Sequence, residues 1–147
     1  MSNQQVRIEL ELPENAPFGA PVAGCLVITN VGDRPLSLVT PLYNAALNIV
    51  VFDRYWNQAV PKSIGKAHHA YEQFELAPGQ SATYDLADLT YTSGTSEMVF
   101  KLDPGIYYVV AVYHPGTARL PDQSAYPIVA TSNVVTLVVR TLQRRLS

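Results

Sequence analysis

Twice in this chain a leucine is followed two residues on by Pro-Gly and then by a tyrosine-bearing run. The first instance is Leu76-Ala77-Pro78-Gly79 before Ser81-Ala82-Thr83-Tyr84-Asp85-Leu86. The second is Leu102-Asp103-Pro104-Gly105 before Ile106-Tyr107-Tyr108-Val109-Val110-Ala111-Val112-Tyr113. Proline presets φ for a turn and glycine tolerates the positive φ of a sharp reversal, so each Pro-Gly marks a turn into a strand. A chain punctuated this way reads as strands joined by reversals, and no stretch of useful length reads as a helix.

The remaining strands follow from hydrophobic period. Val6, Ile8, Leu10 and Leu12 alternate with Arg7, Glu9 and Glu11, which puts one face on a core and the other in water. Pro13, Pro17, Gly19 and Pro21 then interrupt, and Cys25 to Asn30 forms a second strand, ended by Gly32-Asp33-Arg34-Pro35. Leu36 and Leu38 resume the pattern. Leu47 to Asp53 forms a long strand, with Asn57 to Val60 pairing back on it after a turn around Arg54-Tyr55-Trp56. Short strands follow at Tyr71 to Leu76, Ser81 to Leu86 and Glu97 to Leu102. Ile106 to Tyr113 and Asn133 to Val139 are apolar or β-branched on both faces, as covered strands are. Pro115 to Ala130, with Pro115, Gly116, Pro121 and Pro127, reads as an extended surface loop, a length uncommon unless functional. The expected fold is an all-β, immunoglobulin-like antiparallel β-sandwich of about eight strands. It forms a single domain over 1–147, with tails at 1–4 and 141–147.

Composition narrows the function classes. The chain is 48% hydrophobic but only 15% charged, against about 25% in ordinary domains, so neutral or apolar groups must cover part of its surface. The net charge of −2, with acids and bases mixed along the chain, lacks the concentrated basic face of a nucleic-acid binder. The one basic cluster, Arg140, Arg144 and Arg145, reads as a solvated tail. Cys25 is the only cysteine, so no intrachain disulfide can form, which suits a reducing compartment. The N-terminal residues enter alternation without the pattern of a signal peptide, and no apolar run approaches the ~20 residues of a membrane span. A cytoplasmic protein is expected.

The spacing Leu102, Pro104, Gly105, Tyr108 resembles the corner before the penultimate strand of immunoglobulin-like domains; the resemblance implies that the Tyr108 hydroxyl ties the corner to backbone. A longer likeness runs through Leu26 to Leu36, Val50 to Asp53, Leu76 to Ser81 and Leu102 to Tyr107. In order these are similar to bacterial immunoglobulin-like domains, including the intracellular proteinase inhibitor family. The likeness lies in turns, strand starts and core positions. After Asp53 the Gly turn of the inhibitors is replaced by Arg54-Tyr55-Trp56-Asn57.

Candidate sites are few. His68, His69 and His114 could hold a zinc with an open position, but adjacent residues on a strand point to opposite faces. Loop histidines are therefore expected, with no metal or other cofactor. Cys25 lies in an apolar strand, where a thiol acts as a small hydrophobe. No nucleophile motif or phosphate loop appears, and Asp85 and Asp88 read as turn chemistry. The binding pattern is aromatic: Tyr55 and Trp56 beside Arg54 match the residue mix of interface hot spots. The alternative is a core tryptophan packed between sheets.

The sequence therefore reads as a non-catalytic protein-binding or structural module that self-assembles or docks in a larger complex. Its contacts are expected from Arg54, Tyr55, Trp56, His68, His69, Tyr71, His114, Arg119 and Tyr126. The partner is a protein or a second copy, with neither nucleic acid nor membrane. Two alternatives remain: an intracellular proteinase inhibitor, and an accessory domain that binds sugar or metal.

Overall fold

The computed structural model describes residues 5–41, 46–65, 72–92, 97–119 and 125–141 of the chain. In chain order the strands are β1 (Val6–Glu11), β2 (Asn15–Pro17), β3 (Gly24–Asn30), β4 (Leu36–Val39), β5 (Leu47–Asp53), β6 (Gln58–Ala59) and β7 (Lys62–Gly65). They continue as β8 (Gln73–Leu76), β9 (Ser81–Leu86), β10 (Tyr91–Thr92), β11 (Glu97–Val99), β12 (Gly105–Arg119), β13 (Ala125–Thr131) and β14 (Val135–Arg140). Among the described residues there is no helix, and hence none long and apolar enough to cross a membrane. Apart from β13, the longer strands are those that hydrophobic period marks out. Several of the others are pieces of two to four residues.

One sheet has the order β1-β3-β9, antiparallel throughout. In the largest, β12 lies between β14 and β5, with β6 folded back on β5, β2 running parallel to the outside of β14, and β4 and β8 joined through the far end of β12; β10, β11 and β7 form a third, small sheet. This is an immunoglobulin-like order. The alternation of β1 works as expected: Val6, Ile8 and Leu10 are buried while Arg7, Glu9 and Glu11 are exposed. They meet Leu26 and Ile28 of β3, Ile49 and Val51 of β5, Val109 and Ala111 of β12 and Leu137 and Val139 of β14 in one buried cluster. Burying side chains of this size stabilises by roughly 1.5–3 kcal/mol each. Tyr113 is fully buried in the same cluster, and its hydroxyl donates to the Val39 carbonyl, tying β12 to β4. Burial pushes that phenol well above its ordinary pKa.

The first Pro-Gly forms a tight reversal. Gln80 N–H donates to the Ala77 carbonyl at 2.9 Å, and Gly79 has φ +79°, as a type II turn with proline second and glycine third requires. Gly79 N–H donates to the Asn30 carbonyl at 2.8 Å and Asn30 N–H to the Gln80 carbonyl at 3.0 Å. Two residues thus face one, a bulge with glycine in the left-handed position. Asn30 is itself fully buried. Its side-chain amide donates to the carbonyls of Arg34 (2.8 Å) and Leu76 (3.0 Å), and its Oδ1 accepts from Gly32 N–H at 3.0 Å. One side chain therefore fastens the end of β3 to the next turn and to β8.

The second Pro-Gly corrects an expectation. The corner is tied by Tyr107, whose hydroxyl donates to the Asp103 carbonyl at 2.7 Å, and not by Tyr108. Val109, Ala111 and Tyr113 face the core, so Tyr108, one residue out of step, is on the outer face.

The expected surface loop from Pro115 to Ala130 is in large part a hairpin. β12 continues to Arg119 and pairs antiparallel with β13 from Val112↔Thr131 to Arg119↔Ala125, with a register shift between Tyr113 and Gly116. Pro115 falls in that irregularity, where a missing N–H costs no ladder bond. Of the expected tails, 1–4 and 142–147 lie outside the described residues.

Candidate functional site

The exposed corner between β5 and β6 is built by Asp53. Its Oδ1 accepts from the N–H groups of Tyr55 and Asn57, each at 2.9 Å, and its backbone N–H donates to the Asn57 carbonyl at 2.9 Å. Aspartate makes such turns because its short carboxylate reaches N–H groups a few residues on. The bonds hold the Asp53 carboxyl below its ordinary pKa, the Asn57 N–H contributing most.

Trp56 sits at the apex with φ +67°, a conformation rare for a bulky residue and costing of order 1–3 kcal/mol. Trp56 is 62% exposed and Tyr55 68% exposed, so the alternative of a core tryptophan does not hold. The indole stacks on Tyr108 with centroids 4.6 Å apart and planes 14° apart, and lies 5.9 Å from the Phe52 ring. The Arg54 guanidinium lies 4.7 Å over the Tyr55 ring and bonds its hydroxyl.

Beneath the corner runs an apolar strip. Tyr108 is opposite Phe52 and Val110 opposite Val50, while Ile106 is opposite Val138. Ile106 is 40% exposed and the others are half-buried, so the sandwich's outer face is apolar here, with Trp56 covering Tyr108 at its corner end. Sequence reading passed over Phe52, Ile106 and Tyr108 as site residues. The pattern that marks them is the even-numbered face of Ile106 to Val112, apolar where a wet outer face alternates to polar.

The structure gathers Arg54, Tyr55 and Trp56, but not His114, Arg119 or Tyr126. His114 is half-buried farther along β12; its backbone N–H donates to the Ala46 carbonyl at 2.6 Å and its Nε2 is buried without a partner among the described residues. Arg119 and Tyr126 are placed by backbone on the hairpin of β12 and β13, away from the corner. His68, His69 and Tyr71 lie outside the described residues. Among the described residues no group of three or more His, Cys, Asp or Glu could hold a metal ion.

Asp88 does turn work as expected, its Oδ1 accepting from the Thr90 hydroxyl (2.6 Å), Thr90 N–H (3.0 Å) and Val22 N–H (3.2 Å). Cys25 departs from expectation. Leu26 and Ile28 take the core side of β3, so the thiol faces outward between its cross-strand neighbours Glu11 and Asp85. Its Sγ lies 3.2 Å from Glu11 Oε2, and that bond, followed by burial and the two carboxylates, raises its pKa.

Comparison with known proteins assigns no family. No family model matches the chain, and no curated protein matches it. Among solved structures it is similar to part of a β-glucosidase from Listeria innocua, at 17% identity and TM-score 0.41, over 95% of this chain and 16% of that one. It is also similar to the sporulation control protein Spo0M from Bacillus subtilis, at 12% identity and TM-score 0.43, over 92% of this chain and 49% of that one. The CARDB domain of PF1109 from Pyrococcus furiosus matches at 12% identity and TM-score 0.37, over 92% of this chain and 96% of that one. The chain thus spans a small part of the first of these and about half of the second.

Proposed function

We propose that this chain is a non-catalytic binding module that docks a protein partner through the Arg54–Asn57 corner and the apolar strip below it. The observation that carries the reading is Trp56, held in a strained backbone state with most of its indole in water and one face stacked on Tyr108. Nothing in the core requires it there. Tryptophan, tyrosine and arginine dominate interface hot spots because they bury large area at low entropic cost, and a stacked, pre-set indole has little freedom left to lose. The low charge of the chain and the apolar outer strip of Val50, Phe52, Ile106, Tyr108 and Val110, exposed at Ile106, fit the same role.

A photo-crosslinking amino acid at Tyr55, expressed in the source cells, tests this. The expected result is a discrete protein adduct, lost when Trp56→Ala is added and absent when the crosslinker sits at Glu9 on the other sheet. Equal labelling from both positions would sink the reading.

A further inference from the structure

We propose that two copies of this chain join edge to edge through β9, in a two-fold antiparallel pairing centred on Thr83. This concerns the sheet opposite the Trp56 corner and stands independently of it.

Hydrogen-bonded pairs alternate along an antiparallel ladder, so one fixed bond sets the direction of every other N–H and C=O. Val31 N–H donates to the Gln5 carbonyl at 2.9 Å, so Gln5, Arg7, Glu9 and Glu11 bond inward to β3. Val6, Ile8 and Leu10 then turn their backbone groups to the outer edge of β1. That edge is blocked: the Asn133 side chain accepts from Leu10 N–H at 2.8 Å and donates to the Leu10 carbonyl at 3.1 Å, taking the place of a neighbouring strand.

On the other flank, Asn30 N–H donates to the Gln80 carbonyl, so Ala82, Tyr84 and Leu86 bond inward. Ser81, Thr83 and Asp85 therefore aim N–H and C=O away from β3, and their side chains are exposed. Among the described residues none bonds to them there. Nor does β9 carry the proline or lysine that blunts an edge.

The occupant follows from register. A second β9 laid antiparallel with Thr83 opposite its own copy makes Thr83–Thr83 a hydrogen-bonded pair, with Ser81 opposite Asp85 on either side. Each is a favourable cross-strand pair: threonine with threonine, and a hydroxyl with a carboxylate. On the inner face Ala82 meets Tyr84, small against large. No like charges stand opposed, and β1-β3-β9 becomes half of a continuous sheet.

The test is sedimentation velocity over a dilution series, with Thr83→Pro as the variant. The proline removes only an outward N–H, so near-ultraviolet circular dichroism should match the wild type. The wild type should pass from monomer to dimer with concentration, and Thr83→Pro should weaken the dimer at least roughly tenfold, as losing two symmetry-related hydrogen bonds implies. In a Cys25→Ser background, Thr83→Cys should oxidise to a covalent dimer and Ser81→Cys should not, because only position 83 faces its own copy. This second arm decides if the proline variant does not fold. A wild type monomeric throughout, a dimer indifferent to Thr83→Pro, or equal crosslinking at positions 81 and 83 would each overturn the proposal.

Discussion

The indole of Trp56 lies flat on the ring of Tyr108, 4.6 Å between centroids, although the backbone beneath it is at φ +67°. A favourable stack and an unfavourable backbone state thus act on one residue. Offset aromatic pairs contribute about 0.5–1.5 kcal/mol beyond area burial, comparable to the backbone cost.

Replacing Trp56 separates the two. Trp56→Ala loses the stack and keeps the strain; Trp56→Gly loses both. Urea unfolding should show Trp56→Gly at least as stable as Trp56→Ala, by about 1 kcal/mol, reversing the usual penalty of glycine in an ordered segment. A glycine variant clearly weaker than the alanine one would mean the positive φ carries no strain.

Acid should open the corner. A carboxyl with a depressed folded pKa stabilises the fold above its unfolded value, and that contribution is lost as pH falls through the folded pKa. For Asp53 the turn should be intact at neutral pH and loosen only below the ordinary aspartate range. Trp56 is the sole tryptophan, so its fluorescence reports this directly. The acid transition should be absent in Asp53→Asn; an unchanged transition there would assign it to another group.

Asn30→Ala should be the costliest single polar change. It strands the buried carbonyl of Leu76 and removes the partners of Arg34 and Gly32. A loss of about 3 kcal/mol in chemical denaturation is expected, the upper end for an orphaned buried group. Asn30→Asp should not rescue it, because a carboxylate cannot donate to the two carbonyls.

The thiol of Cys25 should alkylate slowly at neutral pH, since Glu11 and Asp85 disfavour its thiolate. Glu11→Gln should speed the reaction and move its pH midpoint down, measured with iodoacetamide on the folded protein. No change would show that Glu11 does not hold the thiol.

How much of this was legible in the sequence depends on the range of the interaction. The alternation of Val6, Ile8 and Leu10 and the Ala77–Gln80 turn are local, and both read true. The hairpin of β12 and β13 was hidden because Pro115, Gly116 and Pro127 mark breaks in a central strand, whereas a bulge and an outer strand tolerate them. Whether Trp56 points in or out depends on the sign of one φ angle, which composition does not encode. Asn30 looked like the end of a strand; its role appears only when Arg34 and Leu76 converge on it. Tyr107 and Tyr108 differ by one step of alternation, and a spacing carried over by resemblance picked the wrong one.

The parallel pairing of β2 with β14 carries a mechanical consequence. Asn15 to Pro17 and Val138 to Arg140 run side by side in the same direction, one near the chain's beginning and the other near its end. Tension applied to the two ends would slide these strands past each other, so their bonds would be loaded together rather than peeled one by one. Once β1 has been drawn off β3, resistance to stretching would thus be set by a three-residue strand that contributes little to the buried core.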